Sequence, residues 1–136
     1  MANVLYGKGK EKLLSKLLDL SNPGDTIKAA LVLSTYTVDL VTHEFYTDLG
    51  ANVVGTNQTL TTKSVTGGVF DADDVTWTAV PASGNAASVV LFKDTGVAAT
   101  SPLIAFMNVI TNFPVTTNGG DITVQWDNGA YKIFSL

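Results

Sequence analysis

Near the start of the chain, apolar positions recur at helical spacing. Leu13, Leu14, Leu17 and Leu18 share one face, and Lys10, Glu11, Lys12, Lys16 and Asp19 take the other, which predicts a helix over residues 10–20. Asn22-Pro23-Gly24 stops it, because a residue before proline avoids helical angles and glycine favours turns. The apolar run through Ile27, Ala29, Leu31 and Leu33 predicts a buried strand over 26–33. A short second helix is expected over 42–49, with Thr42 as N-cap, Glu44 in the first turn, Gly50 past the end, and Val41 and Tyr46 as a hydrophobic staple.

Beyond residue 51 the period shortens. Runs at 51–60, 63–71, 75–80, 87–93, 102–109, 121–127 and 130–135 read as strands, separated by Thr-rich stretches or by Asp-Ala-Asp-Asp, Ser-Gly-Asn, Asp-Thr-Gly and Asn-Gly-Gly clusters. Closely spaced strands without intervening helices predict a mainly β fold: an antiparallel, jelly-roll-like sandwich or barrel with one or two short N-terminal helices. Asp127-Asn128-Gly129 suits a two-residue hairpin turn. Folding there would pair Trp126 with Tyr131 and Val124 with Ile133 on one apolar face. No internal repeat or linker breaks the chain, so one domain is expected over 1–136, with a short arm before the first helix.

Composition narrows the function. With 46% hydrophobic and 15% charged residues, the chain can bury a core at its length of 136. It has no cysteine, which removes disulfides, thiolate nucleophiles and Cys-based metal sites. All eight basic residues are lysine and the net charge is −4, so no nucleic-acid partner is expected. No apolar run approaches the roughly 20 residues of a membrane span, and the N-terminus lacks the layout of a secretory signal, so no membrane partner is expected and synthesis in the cytosol is the simplest expectation.

Chemically expressive residues are few. His43 is the only histidine and sits in no motif; a packed or surface role is expected rather than catalysis or metal binding. Asp71, Asp73 and Asp74 form the densest carboxylate cluster but lack the glycine turn and distal glutamate of a calcium loop, so a solvated turn is expected. Gly7-Lys8-Gly9-Lys10 is followed by Glu11 instead of the Ser or Thr of a phosphate loop. Trp77, Trp126, Tyr131 and Phe134 offer a conceivable sugar-stacking platform, against which core packing is the better account. Asn57-Gln58-Thr59 matches a glycosylation acceptor that matters only in a secreted chain. No catalytic residue, cofactor or metal site is therefore expected.

The C-terminal half carries a resemblance. Lys93-Asp94-Thr95-Gly96, the stretch Ala99 to Phe106 and the stretch Asn118 to Gly129 resemble a family of small structural proteins of tailed bacteriophages. Tyr6-Gly7-Lys8-Gly9 and the strand Asp25 to Val32 fit the same family. The resemblance implies a virion protein on the capsid exterior, a decoration or cement protein bound to the major capsid protein, with a tail or head-fibre component as an alternative. A homotrimer fits the threefold positions of an icosahedral shell. Lys8, Lys10 and Lys12, on an arm before the helix, are the expected capsid-docking residues. The competing expectation is a glycan- or host-surface-binding module. That would leave one or two Trp or Tyr rings exposed in a groove, whereas a cement protein would bury its aromatics and present a flat face.

Overall fold

The computed structural model describes residues 3–136. The fold is mainly β and sandwich-like, built from antiparallel sheets. Strands β1 (Val4–Leu5), β2 (Ile27–Leu33), β3 (Val53–Thr59), β7 (Asn85–Lys93) and β8 (Leu103–Met107) form the main sheet in the order β1-β8-β7-β2-β3, and β9 (Val115–Thr116) pairs with the far end of β7. The order leaves this sheet open, with β1 and β3 at its edges. A second layer holds β4 (Ser64–Thr66), β5 (Val69–Asp71) and β11 (Phe134–Ser135) in one small sheet, and β6 (Val75–Trp77) with β10 (Ile122–Val124) in another.

Successive residues of a strand point to opposite faces, so strands apolar at consecutive positions must be covered on both sides. One face of the main sheet, with Ala29, Leu31, Val89 and Leu91, packs against Phe70, Trp77, Val124 and Trp126 of the second layer. The other face, with Ala30, Val32, Val90 and Phe92, packs against Tyr6, Tyr36 and Leu49. The cover on this side is Tyr6, just before the helix α1 (Gly7–Leu14), and the segment 34–52.

The first helix lies earlier than residues 10–20. A Cβ at Gly9 would stand 2.7 Å from the Leu103 carbonyl oxygen, so the helix seats directly on β8 through a position that only glycine fills. The chain then turns at Lys16, whose φ is +66°, and Leu18 and Leu20 enter the core outside any helix. The leucine face is thus divided: Leu13 packs on the core, while Leu14 and Leu17 are 84% and 60% exposed. The expected arm is also replaced. Val4 and Leu5 pair with Phe106 and Ala105, Tyr6 is fully buried, and Lys8, Lys10 and Lys12 lie on the helix.

The segment 42–49 is not a helix capped by Thr42. Asp39 accepts the amide hydrogens of Val41 and Thr42, and Asp48 accepts those of Glu44 and Phe45, so two carboxylates bend the chain before a 3-10 turn at Tyr46–Asn52. Val41 is exposed and forms no staple.

The terminal hairpin does not form. Val124 pairs with Val75 and Phe134 with Phe70, which places the two strands in different sheets. The backbone amide of Trp126 donates to Asp74 (2.8 Å) and its indole Nε1 to the Asp73 carbonyl (2.8 Å), which ties this strand to the 73–77 segment. Gly129 donates to the Asp127 carboxylate across a side-chain turn and is not left-handed. The hairpin that needs two positive φ angles lies instead at Gly67 and Gly68, +60° and +77°, between β4 and β5. That turn splits the run predicted at 63–71 into two strands.

Candidate binding surface

The three lysines expected to dock differ in what their helix neighbours leave them. Lys8 pairs with Glu11 one turn on (3.3 Å), and Lys12 reaches Glu44 (2.5 Å) across the ring of Phe45. Of the three, Lys10 alone is exposed without an ion pair among the described residues, and it borders an open groove of about 1090 Å³.

This groove runs between the β1–β8 edge of the main sheet and the C-terminal segment. Val109, Gln125, Trp126, Asn128, Tyr131 and Lys132 contribute to its walls. Tyr131, expected on the core face opposite Trp126, is instead 67% exposed, whereas Trp126 is buried with one side on the groove. The segment that carries Tyr131 is anchored at both ends. Trp126 is held as described, Ile133 donates to the Phe70 carbonyl (3.1 Å) and Leu136 to that of Gly68 (2.9 Å). Lys132, beside Tyr131, has a φ of +49°. The backbone reversal there turns Tyr131 outward while Ile133 enters the core. The sequence signal for this was hidden, because alternation alone places both residues on one face.

A second recess of about 430 Å³ is mostly apolar, lined by Leu13, Leu18, Leu20, Phe70, Val65 and Phe134, with Lys16, Asp19 and Ser21 also on its wall. Leu136 also lines it, and Leu14 and Leu17 flank it along the chain; all three are exposed. Nearby apolar side chains on the surface are ordinary singly and meaningful in a group. Following β7, whose last residue Lys93 reaches the Leu17 carbonyl (3.3 Å), Asp94–Ser101 forms a tightly bonded loop. Gly96 donates to Asp94 (2.9 Å), Thr95 Oγ1 lies 2.7 Å from Thr100 Oγ1 and Ser101 Oγ donates to the Val97 carbonyl (2.8 Å), leaving Val97 exposed.

His43 has a role that its isolation in the sequence concealed. Tyr6 Oη lies 2.9 Å from Tyr36 Oη, which lies 2.7 Å from His43 Nδ1, and the His43 ring stacks on Tyr36. The Asp39 amide can only donate and points at the same Nδ1 (3.3 Å), so that nitrogen carries the lone pair. Tyr36 then donates to His43 and accepts from Tyr6. Burial pushes the phenols of Tyr6 and Tyr36 above their usual range, so neither supplies a base. The chain of hydroxyls closes the second core.

Asp71 ends β5 opposite Ser64, and Asp73 and Asp74 lie in the turn that follows. Asp73 accepts from the Thr62 hydroxyl (2.6 Å) and Asp74 from the Trp126 amide. Among the described residues no group of three or more His, Asp or Glu is placed to hold a metal ion, and no helix is long and apolar enough to cross a membrane. Trp77 and Phe70 are core residues, and Phe134 packs on Phe70 with ring centres 5.3 Å apart. No protein family matches the chain, and no curated protein matches it.

Proposed function

We propose that the protein is a structural virion protein of a tailed bacteriophage, which binds the outside of the capsid and stabilises it as a decoration or cement protein. The observation that carries this reading is the pair of exposed apolar side chains Val65 and Leu136 lining the 430 Å³ recess, with Leu14 and Leu17 exposed beside the lining residues Leu13, Lys16 and Leu18 in the chain. A free surface of this kind loses water favourably only against a partner. The resemblance of the Lys93–Gly96, Ala99–Phe106 and Asn118–Gly129 stretches to such proteins supports the same reading; the first two flank the exposed Val97 in the tightly bonded loop.

The partner is the major capsid protein, and the mechanism is adhesion without catalysis. A ligand that binds only the assembled shell stabilises it by mass action. A homotrimer would match threefold positions and hold each copy at high effective concentration when one contact opens. Lys10 remains a docking residue in this reading; Lys8 and Lys12, already paired, support the helix. The exposed ring of Tyr131 favours a second reading, a glycan- or host-surface-binding module.

The test is co-sedimentation with particles stripped of their outer proteins. The parent chain should bind, and Val65→Glu and Leu17→Glu, which replace exposed side chains, should bind at least roughly tenfold more weakly at similar melting temperature. Full binding by both variants, or none by the parent, would overturn the reading. A monomeric stoichiometry on the particle would overturn the trimer.

A further inference from the structure

We infer that the groove between the β1–β8 edge and the C-terminal segment binds an acidic saccharide, with Tyr131 as its stacking platform and Lys10 and Lys132 as its carboxylate contacts. The inference goes beyond adhesion to a capsid and draws on a different surface, with Lys10 the one residue that both readings use.

Four observations converge. The first is size: about 1090 Å³ is in the range of a ligand site for several sugar rings, open enough for a chain to pass through. The second is the aromatic. Tyr131 keeps most of its ring in water although the chain buries most of its other large aromatics, Tyr6, Tyr36, Phe70, Trp77, Phe92, Phe106 and Trp126 among them. A sugar presents an apolar face of C–H groups ringed by hydroxyls, and a tyrosine offers the matching flat ring with a polar tip. Trp126, fixed by its two hydrogen bonds, supplies a rigid wall beside it.

The third observation is how the ring is held. The segment is pinned at Trp126, Ile133 and Leu136, and the left-handed Lys132 that seats Ile133 in the core turns Tyr131 outward. The platform is therefore set before any ligand arrives, which spares the ordering cost of binding.

The fourth is charge and hydrogen-bonding type. Lys10 and Lys132 line the groove without ion pairs among the described residues, in a chain whose net charge is −4. The carboxylate of Asp127, also on the wall, is engaged with the Gly129 amide. Exposed Gln125 and Asn128 add amides that both donate and accept, as sugar hydroxyls require. Lysines without partners select an anion, and amides with an aromatic ring select a polyhydroxyl chain over a simple acidic one. A uronic- or sialic-acid-containing glycan satisfies both.

The test is calorimetric titration of the purified chain with four probes: hexagalacturonate, sialyllactose, neutral maltohexaose and hexaglutamate. At least one acidic sugar should bind, and maltohexaose and hexaglutamate should bind at least roughly tenfold more weakly. Tyr131→Ala should lose at least about tenfold in affinity at an unchanged melting temperature, while Tyr131→Phe retains binding. Lys10→Gln with Lys132→Gln should reduce binding of the acidic sugar to the neutral level and remove its salt dependence. Equal binding of hexaglutamate would make the groove a charge or peptide channel and overturn the assignment. Equal binding of maltohexaose would overturn the acidic class, and unaltered affinity in Tyr131→Ala, or no binding of either acidic sugar, would overturn the site. Titrations of the free chain, read first through Tyr131→Ala, and co-sedimentation of Val65→Glu and Leu17→Glu probe different residues, so the two readings fail separately.

Discussion

Replacing Tyr36 with phenylalanine removes one oxygen from the middle of the Tyr6–Tyr36–His43 chain and leaves the packing shape intact. His43 Nδ1 keeps the Asp39 amide, but Tyr6, fully buried, loses its only acceptor. Two hydrogen bonds at a net of about 1 kcal/mol each, with the penalty of an orphaned hydroxyl partly overlapping them, give a loss of about 3 kcal/mol. At this chain length that corresponds to a fall of roughly 10 °C in melting temperature. Tyr6→Phe should cost only about 1 kcal/mol, because Tyr36 still donates to His43. The double variant leaves no orphan, and so should be about 1–2 kcal/mol more stable than the sum of the single losses implies. Urea unfolding followed by tryptophan fluorescence measures all three, with an unchanged slope showing that the denatured state is the same. Strict additivity, or a Tyr36→Phe variant as mild as Tyr6→Phe, would refute the hydrogen-bond order assigned here.

Two further outcomes are expected. The Thr42 hydroxyl and the amides of Thr42 and Val41 hold the Asp39 carboxylate at about 2, from 3.8 when unfolded, and Asp94, beside Lys28, is lowered too. Their stability contribution is full above pH 4 and is lost as pH falls toward 2, so the melting temperature should drop over that window and less steeply in Asp39→Asn; an identical acid limb in the variant would contradict this. Gly68→Ala forces a side chain into a φ of +77° and should cost about 1–2 kcal/mol, whereas Gly129→Ala, not left-handed and facing only the flexible Asp127 carboxylate, should cost little; thermal melts showing the reverse order would restore the Asn128-Gly129 hairpin.

Much of the fold was legible in the sequence, and the parts that were not share a cause. The strand at 26–33 and those at 51–60, 87–93 and 102–109 were found because a buried strand needs an apolar run whatever it pairs with. Pairing partners were the weak point. Asn128-Gly129 carried a strong local turn signal, yet Trp126 has two donors that Asp73 and Asp74 satisfy from a distant segment. The helix was misplaced because leucine spacing outweighed Gly9, whose importance rests on a carbonyl of β8. The candidate surface followed the same rule. Tyr131 looked buried by alternation, and only the reversal at Lys132 exposes it.

The doubly covered main sheet has a consequence for strand alignment. In a strand with one wet face, a shift of one residue turns apolar side chains outward and is rejected. In β2, with the sequence Ile-Lys-Ala-Ala-Leu-Val-Leu, and in β8, buried at every position, such a shift exchanges one apolar residue for another. The apolar middle therefore leaves neighbouring alignments close in energy, and the choice falls to the polar groups at the strand ends. Lys28 meets Asp94 at 2.7 Å and Lys93 meets Asp25 at 3.2 Å where β2 and β7 begin and finish, and Ser34 donates to the Asn85 carbonyl at the opposite end. These half-exposed charges contribute little cohesion; what they supply is a single zero point from which the ladder is counted.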